Sequence, residues 1–281
     1  MSLPVKSEVK YLGIKLIKDA KLREEKHFHE KLEIMKKPLN HWLIRDLSIL
    51  GRNILSKAED ISKLVYPCQS LYVTSQNIKK TNSIIYNFIW KNETHYIKKS
   101  HLVKDTNKGG LKTLDIESMV GMFRVNWIKA FLSQTESIWF HIPRNIFKRV
   151  GGFEFLLQCD FEITKLPLKL SKCHEQVLRY WKMIFTHNFS PHGSTLWNNR
   201  AMTSNRKTLY NQKWCDKKIM FVADMLDEHG SILQLNSFNE TCNMQCSYRE
   251  YSNICKAIPV PLIQLIKNTI SFQCTDNLTR Y

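Results

Sequence analysis

The stretch Ser75 to Asn92, "SQNIKKTNSIIYNFIWKN", sets Ile78, Ile85, Phe88 and Ile89 on one side of a 3.6-residue repeat, with Ser75 placed as its N-cap. The same period recurs on both sides of it and predicts a mainly α protein. Immediately upstream, a helix is expected to start at Ser48 and run to Pro67. Its apolar side would carry Leu50, Ile54, Ile61 and Val65, and its other face Arg52, Lys57 and Lys63. Further back, residues 19–43 space Phe28, Leu32, Met35, Leu39 and Trp42 by four, three, four and three. This is an amphipathic helix, expected to bend or break at Pro38. The chain begins differently: "VKYLGIKL", Val9 to Leu16, alternates with Leu12, Ile14 and Leu16 on one face, the signature of one half-buried strand. A lone strand is unstable, so the sequence poses the question of which sheet it joins.

Downstream of Asn92 lies a basic loop, "KKSHLVKDTNKGGLKTLDIES", broken by Gly109 and Gly110. The Gly-Gly pair either ends the loop or lets backbone approach a phosphate chain. A helix near Ile116 to Leu132 follows, with Met119, Phe123, Trp127 and Phe131 at near-helical spacing. Residues 137–161 read as short helices separated by turns, with a seam near Gly151 and Gly152. Beyond them come a helix from His174, a polar loop through "NNRAMTSNRKT", and several short helices jointed at Gly230 and Pro259.

The 281 residues carry a formal charge of +17, and a basic excess of this size favours an anionic partner. The excess is uneven: 22 Lys and Arg against 11 acids fall in residues 1–113. Residues 79–112 hold eight Lys against two acids and form the most basic part of the chain. No stretch approaches the roughly 18 consecutive apolar residues of a membrane span. The N-terminus lacks the pattern of a secretory signal, so an intracellular location, cytoplasmic or nuclear, is expected. In that setting the eight scattered cysteines read as free thiols and the four Asn-x-Ser/Thr sequons carry no meaning.

Catalytic and metal signatures are sparse. The sequence contains no G-x-S-x-G, no HExxH and no Asp-Asp pair of the kind a two-metal polymerase site needs. His27 and His29 point to nearly opposite sides of a helix. Cys242 and Cys246 could share a helix face but have no second ligand pair, and Asp224 and Asp227 read as a solvated face before a Gly turn. No cofactor and no metal are expected. Core packing is favoured over base stacking for Trp42, Trp90, Trp127 and Trp181.

Taken in order, "KYLGI", "LNHWLIRDLSILGRNILSKAEDISKLVYPCQSL", "NFIWKN" and "KKSHLVKDTNKGGLKTLDIESM" resemble the region beyond the catalytic motifs in reverse transcriptases of LINE-type non-LTR retrotransposons. The later "TLWNN", "KWCDKKIMFVADMLDEHGSI" and "FNETCN" are similar to the C-terminal part of the same second-reading-frame protein. The resemblance implies a residual palm-side strand over 1–18, a thumb-like helical domain with a basic loop over 19–113, a helical C-terminal region over 114–268 and a flexible tail over 269–281. Ser48, Gly51 and Arg52 match the family's helix start, and Lys108, Gly109, Gly110 and Leu111 its Lys-Gly-Gly-Leu segment. The Phe/Tyr-Ala-Asp-Asp motif, the endonuclease and a Cys/His knuckle are missing, and the expected proline turn near Leu71 reads Leu-Tyr-Val.

The function implied is therefore non-catalytic: sequence-independent binding of an RNA–DNA hybrid or RNA by a truncated reverse transcriptase. The contacts would come from Arg45, Arg52, Lys57, Lys63, Lys98, Lys99, Lys104, Lys108, Gly109, Gly110 and Lys112. Association in trans with a palm-containing reverse transcriptase is a further implied partnership. The rival expectation is a relic or protein-interaction module that binds no nucleic acid.

Overall fold

The computed structural model describes residues 8–11, 14–17, 19–133 and 136–268. It is mainly helical, with two short antiparallel sheets of two strands each. The chain divides into two compact units, Met1–Ile128 and Lys129–Tyr281, and the division falls inside a helix.

The first unit opens with β1 (Glu8–Tyr11) and β2 (Ile14–Ile17), paired antiparallel so that Val9 faces Leu16 and Tyr11 faces Ile14. The opening run is thus a hairpin rather than one strand, and its sheet is itself. Alternation cannot distinguish the two, because the side-chain period is two on either arm. Of the expected inward set, Ile14 is buried, while Leu12 lies outside the described residues. Helix α1 (Ala20–Leu43) packs on β2 and buries Phe28, Leu32, Met35 and Leu39, with Trp42 half-buried. It runs through Pro38 without interruption. The N–H that Pro38 lacks would have met the carbonyl of Ile34, a residue that sits half exposed on the flank of the helix.

Helix α2 (Ile49–Leu55) starts as the sequence indicates: the Ser48 hydroxyl accepts from the Gly51 amide at 3.1 Å. Its orientation is the reverse of the sequence expectation. Leu50 and Ile54 are 50% and 57% exposed, whereas Arg52 and Asn53 are buried. A π-helical turn, Ser56–Ile61, inserts an extra residue and rotates the following α3 (Ser62–Ser70), so that Ile61 and Leu64 turn inward while Val65 stays partly exposed. The helix also continues past Pro67 to Ser70.

Helix α4 (Ser75–Ile89) buries Ile78, Ile85, Phe88 and Ile89 as its period requires. Its cap is Thr74 rather than Ser75, with the Thr74 hydroxyl accepting from the Asn77 amide at 3.1 Å. After a short α5 (Lys99–Leu102) and the loop to Thr113, α6 (Ile116–Ser133) begins. Its first turn is capped by Asp115, which accepts from the Ser118 amide at 3.0 Å. Met119 and Phe131 are buried, and Phe123 and Trp127 are half-buried.

The second unit contains α7 (His141–Phe147), α8 (Phe153–Gln158) and α9 (Lys172–Ile184), then β3 (Thr203–Ser204) paired with β4 (Lys207–Thr208). Gly151 and Gly152, both at positive φ, join α7's trailing turn to α8. The β3–β4 hairpin occupies what the sequence shows only as a polar loop; its turn, Asn205 and Arg206, has both residues at positive φ. Helices α10 (Gln212–Asp216), α11 (Leu235–Thr241), α12 (Tyr248–Ala257) and α13 (260–268) complete it. Their core centres on Trp214, whose ring lies 5.8 Å from Trp197 and 4.9 Å from Phe238. Among the described residues, no helix is long and apolar enough to cross a membrane.

Candidate nucleic-acid interface

The basic residues singled out by the sequence all belong to the first unit, and the structure sorts them by what each side chain touches. Arg52 is removed from any surface role. It is 6% exposed, and its Nε donates to the Ile89 carbonyl at 2.6 Å while Nη1 donates to the Leu47 carbonyl. Ile89 closes α4, so Arg52 satisfies one of the carbonyls a helix C-terminus leaves unpaired. A second buried arginine does the same elsewhere: Arg124 donates to the carbonyls of Gln69 and Leu71 at 3.0 and 2.6 Å, at the end of α3.

Next to Arg52, the buried Asn53 reaches the basic loop, its Nδ2 donating to the Leu111 carbonyl at 2.6 Å. This bond fixes the loop against α2 and the π turn. The loop is also closed on itself. The amides of Leu111 and Thr113 both donate to the Leu102 carbonyl, that of Lys112 to Lys104, and that of Gly110 to Asp105, at 2.9–3.1 Å. Gly109 adopts φ +74°, and a Cβ on Gly110 would stand 2.0 Å from the Lys104 carbonyl oxygen. The Gly-Gly pair is therefore a tight turn whose amides are already engaged, and it offers no free N–H to a phosphate. Gly109 and Gly110 shape the loop while its lysines supply the charge.

Those lysines are arranged unequally. Lys57, on the π turn, is half-buried, and burial together with the nearby Lys112 ammonium holds its pKa below the ordinary lysine value. Lys112, held at φ +52°, projects from the closed loop and meets Asp105 at 3.4 Å, a pair so exposed that it neutralises little. Lys98, Lys104, Lys108 and Arg45 are exposed. Lys99 is diverted: it pairs with Asp115 at 2.7 Å and lies over the Tyr86 ring, 5.2 Å from its centre. For Asp115, burial pushes the carboxyl up, but Lys99 and the Ser118 donors outweigh it and hold the pKa below the usual range. Lys63 is tied to Glu59 at 3.7 Å.

The structure thus places the Lys112 charge near enough to Lys57 to act on it, leaves Lys104, Lys108, Arg45 and Lys98 as exposed charges, and converts Arg52 and Lys99 into scaffold. The tryptophans act as packing residues: Trp90 is buried, and Trp181 donates to the Leu157 carbonyl at 3.0 Å. Asp224 and Asp227 do not form a bare solvated face. Asp224 accepts from the Met220 and Phe221 amides, and Asp227 from those of His229 and Ser231, at 2.7–2.9 Å. Cys242 ends α11 and Cys246 lies beyond it, so the two do not share a helix. Among the described residues no group of three or more His, Cys, Asp or Glu could hold a metal ion, and seven cysteines are free thiols. No protein-family model matches the chain.

Proposed function

We propose that this chain corresponds to the thumb and C-terminal region of a LINE-type reverse transcriptase and binds the backbone of an RNA–DNA hybrid or RNA without catalysing polymerisation. The observation that carries the reading is a basic loop closed on itself at Gly110 and tied to α2 by Asn53, which holds Lys104, Lys108 and Lys112 exposed in fixed places. Burial first, and the Lys112 charge second, disfavour the charged form of Lys57, a cost that a bound phosphate relieves. Lys104 and Lys108 extend the positive strip along the same loop. Such contacts grip phosphates and read no bases. The ordered resemblance to the LINE proteins, and a sequence without an Asp-Asp pair, point the same way.

Fluorescence anisotropy with an RNA–DNA hybrid tests this. If about five phosphates are neutralised, the log–log salt slope is roughly −4.5 and affinity falls on the order of 500-fold between 0.05 and 0.2 M salt. Reversing both Lys57→Glu and Lys112→Glu should weaken binding to every sequence about equally and flatten the slope by about 2. A change of sequence preference, or an unchanged slope, would refute phosphate contact at this pair.

A further inference from the structure

The second unit holds a separate groove of about 640 Å3, formed where the β3–β4 hairpin meets the outer face of α12. Arg249, Ser252, Asn253 and Lys256 recur at three- and four-residue steps along that helix, opposite the buried Tyr251 and Ile254. At the start of the helix, Tyr248 is 75% exposed and lines the groove. Across the groove the hairpin contributes Asn205, and the Ser204 hydroxyl donates to the Asn253 side-chain oxygen at 3.0 Å. The one acid in the lining, Glu250, is held by the Asn211 amide.

We propose that this groove binds single-stranded RNA, with a base stacked on Tyr248 and backbone phosphates held by Arg249 and Lys256. The combination is specific in its chemistry. Exposed aromatic faces accept bases of any sequence, and cations alongside them track the backbone. Arg249 and Lys256 lie seven residues apart, about 10 Å along the helix axis, so a strand with repeated phosphates engages both and a single phosphate only one. The Ser and Asn side chains between them are suited to ribose hydroxyls, which favours RNA over DNA. Duplexes bury their base faces and cannot use Tyr248. The site is therefore independent of the Lys57–Lys112 strip and of the family reading.

The test uses the full chain and a 12-residue oligouridine, by anisotropy and by ultraviolet crosslinking with peptide mapping. Tyr248→Ala, and separately the pair Arg249→Glu and Lys256→Glu, should each lower oligouridine affinity on the order of 10-fold. Tyr248→Phe should bind as the parent does, and crosslinks should map to the peptide containing Tyr248. Hybrid affinity should stay within about twofold in all three, since the hybrid is held elsewhere. Affinity for oligouridine unchanged in Tyr248→Ala, or crosslinks confined to other peptides, would overturn the proposal. Equal losses for RNA and the oligodeoxyuridine counterpart of the same length would overturn the RNA preference. Lys57→Glu with Lys112→Glu, run in parallel, separates the two ideas: it should reduce hybrid binding and leave the Tyr248 crosslink intact.

Discussion

Arg52 and His27 show how one side chain decides what a surface can do. Arg52 is one of the basic residues that the sequence offers for phosphate contact, yet its guanidinium donates to the Ile89 and Leu47 carbonyls instead of facing solvent. Arg52→Ala should therefore cost about 2–3 kcal/mol of stability in urea unfolding, the worth of hydrogen bonds to a charged donor plus the penalty of orphaned carbonyls. Affinity per folded molecule should not change. Lys57→Ala should do the opposite, shifting stability by no more than about 0.5 kcal/mol while weakening hybrid binding. His27 is 2% exposed, and neither ring nitrogen has a hydrogen-bond partner. Burial first, then Lys31, Lys15 and Lys10 against the opposing Glu30, lower its pKa. The unfolded chain thus binds the His27 proton more readily, and its contribution to stability is complete above about pH 6.5 and is lost as pH falls through that value toward the folded pKa. His27→Leu should flatten the dependence of the melting temperature on pH between 7 and 5; an unchanged slope would show that other groups carry it.

At the scale of elements, Gly109 and Gly110 make neighbouring and opposite demands. A Cβ at Gly109 meets nothing within 4 Å, and its cost is the left-handed φ of +74°, about 1 kcal/mol. A Cβ at Gly110 would press on the Lys104 carbonyl, and the loop must open. Gly110→Ala should lose hydrogen-exchange protection at Leu111, Lys112 and Thr113 and lower hybrid affinity with no change in charge, whereas Gly109→Ala should bind nearly as the parent does. Equal effects would mean that loop geometry plays no part in binding. The same contrast explains which elements were legible in the sequence. Helices α1, α4 and α6 bury apolar residues at helical spacing, so periodicity finds them. Helix α2 buries Arg52 and Asn53, and the π turn opens on the buried Ser56; their partners are backbone carbonyls, and a hydrophobic count turns the helix inside out. The π turn that follows has no hydropathy signature. For the candidate site, charge located the loop lysines, but only the fold shows that Lys99 is engaged by Asp115 and that Lys57 is half-buried within the influence of the Lys112 charge.

On the scale of the whole molecule, the two compact units each contain a thiol suited to reporting on it. Cys68, in the first, and Cys159, in the second, are buried, and burial pushes both up to about 12. Only the thiolate attacks a disulfide reagent, so at pH 8 a group of that pKa presents roughly one part in ten thousand in the reactive form. Neither should react until its surroundings open, and the labelling rate then measures opening, which can differ from one part of a protein to another. Arg52→Ala loosens α2 and α4 and should speed labelling of Cys68, on the same unit, by about the factor its loss of stability dictates, 30- to 150-fold for about 2–3 kcal/mol. Cys159 should keep its parental rate, because its neighbours Phe155 and Leu156 belong to the other unit. Mass spectrometry of the two labelled peptides, kept unreduced, distinguishes the outcomes. Acceleration at Cys68 alone means that stability is held separately in residues 1–128 and 129–281, so that the lysine strip and the Tyr248 groove can be altered one at a time. Equal acceleration at both would mean one cooperative structure, and the binding variants would then have to be compared at matched stability.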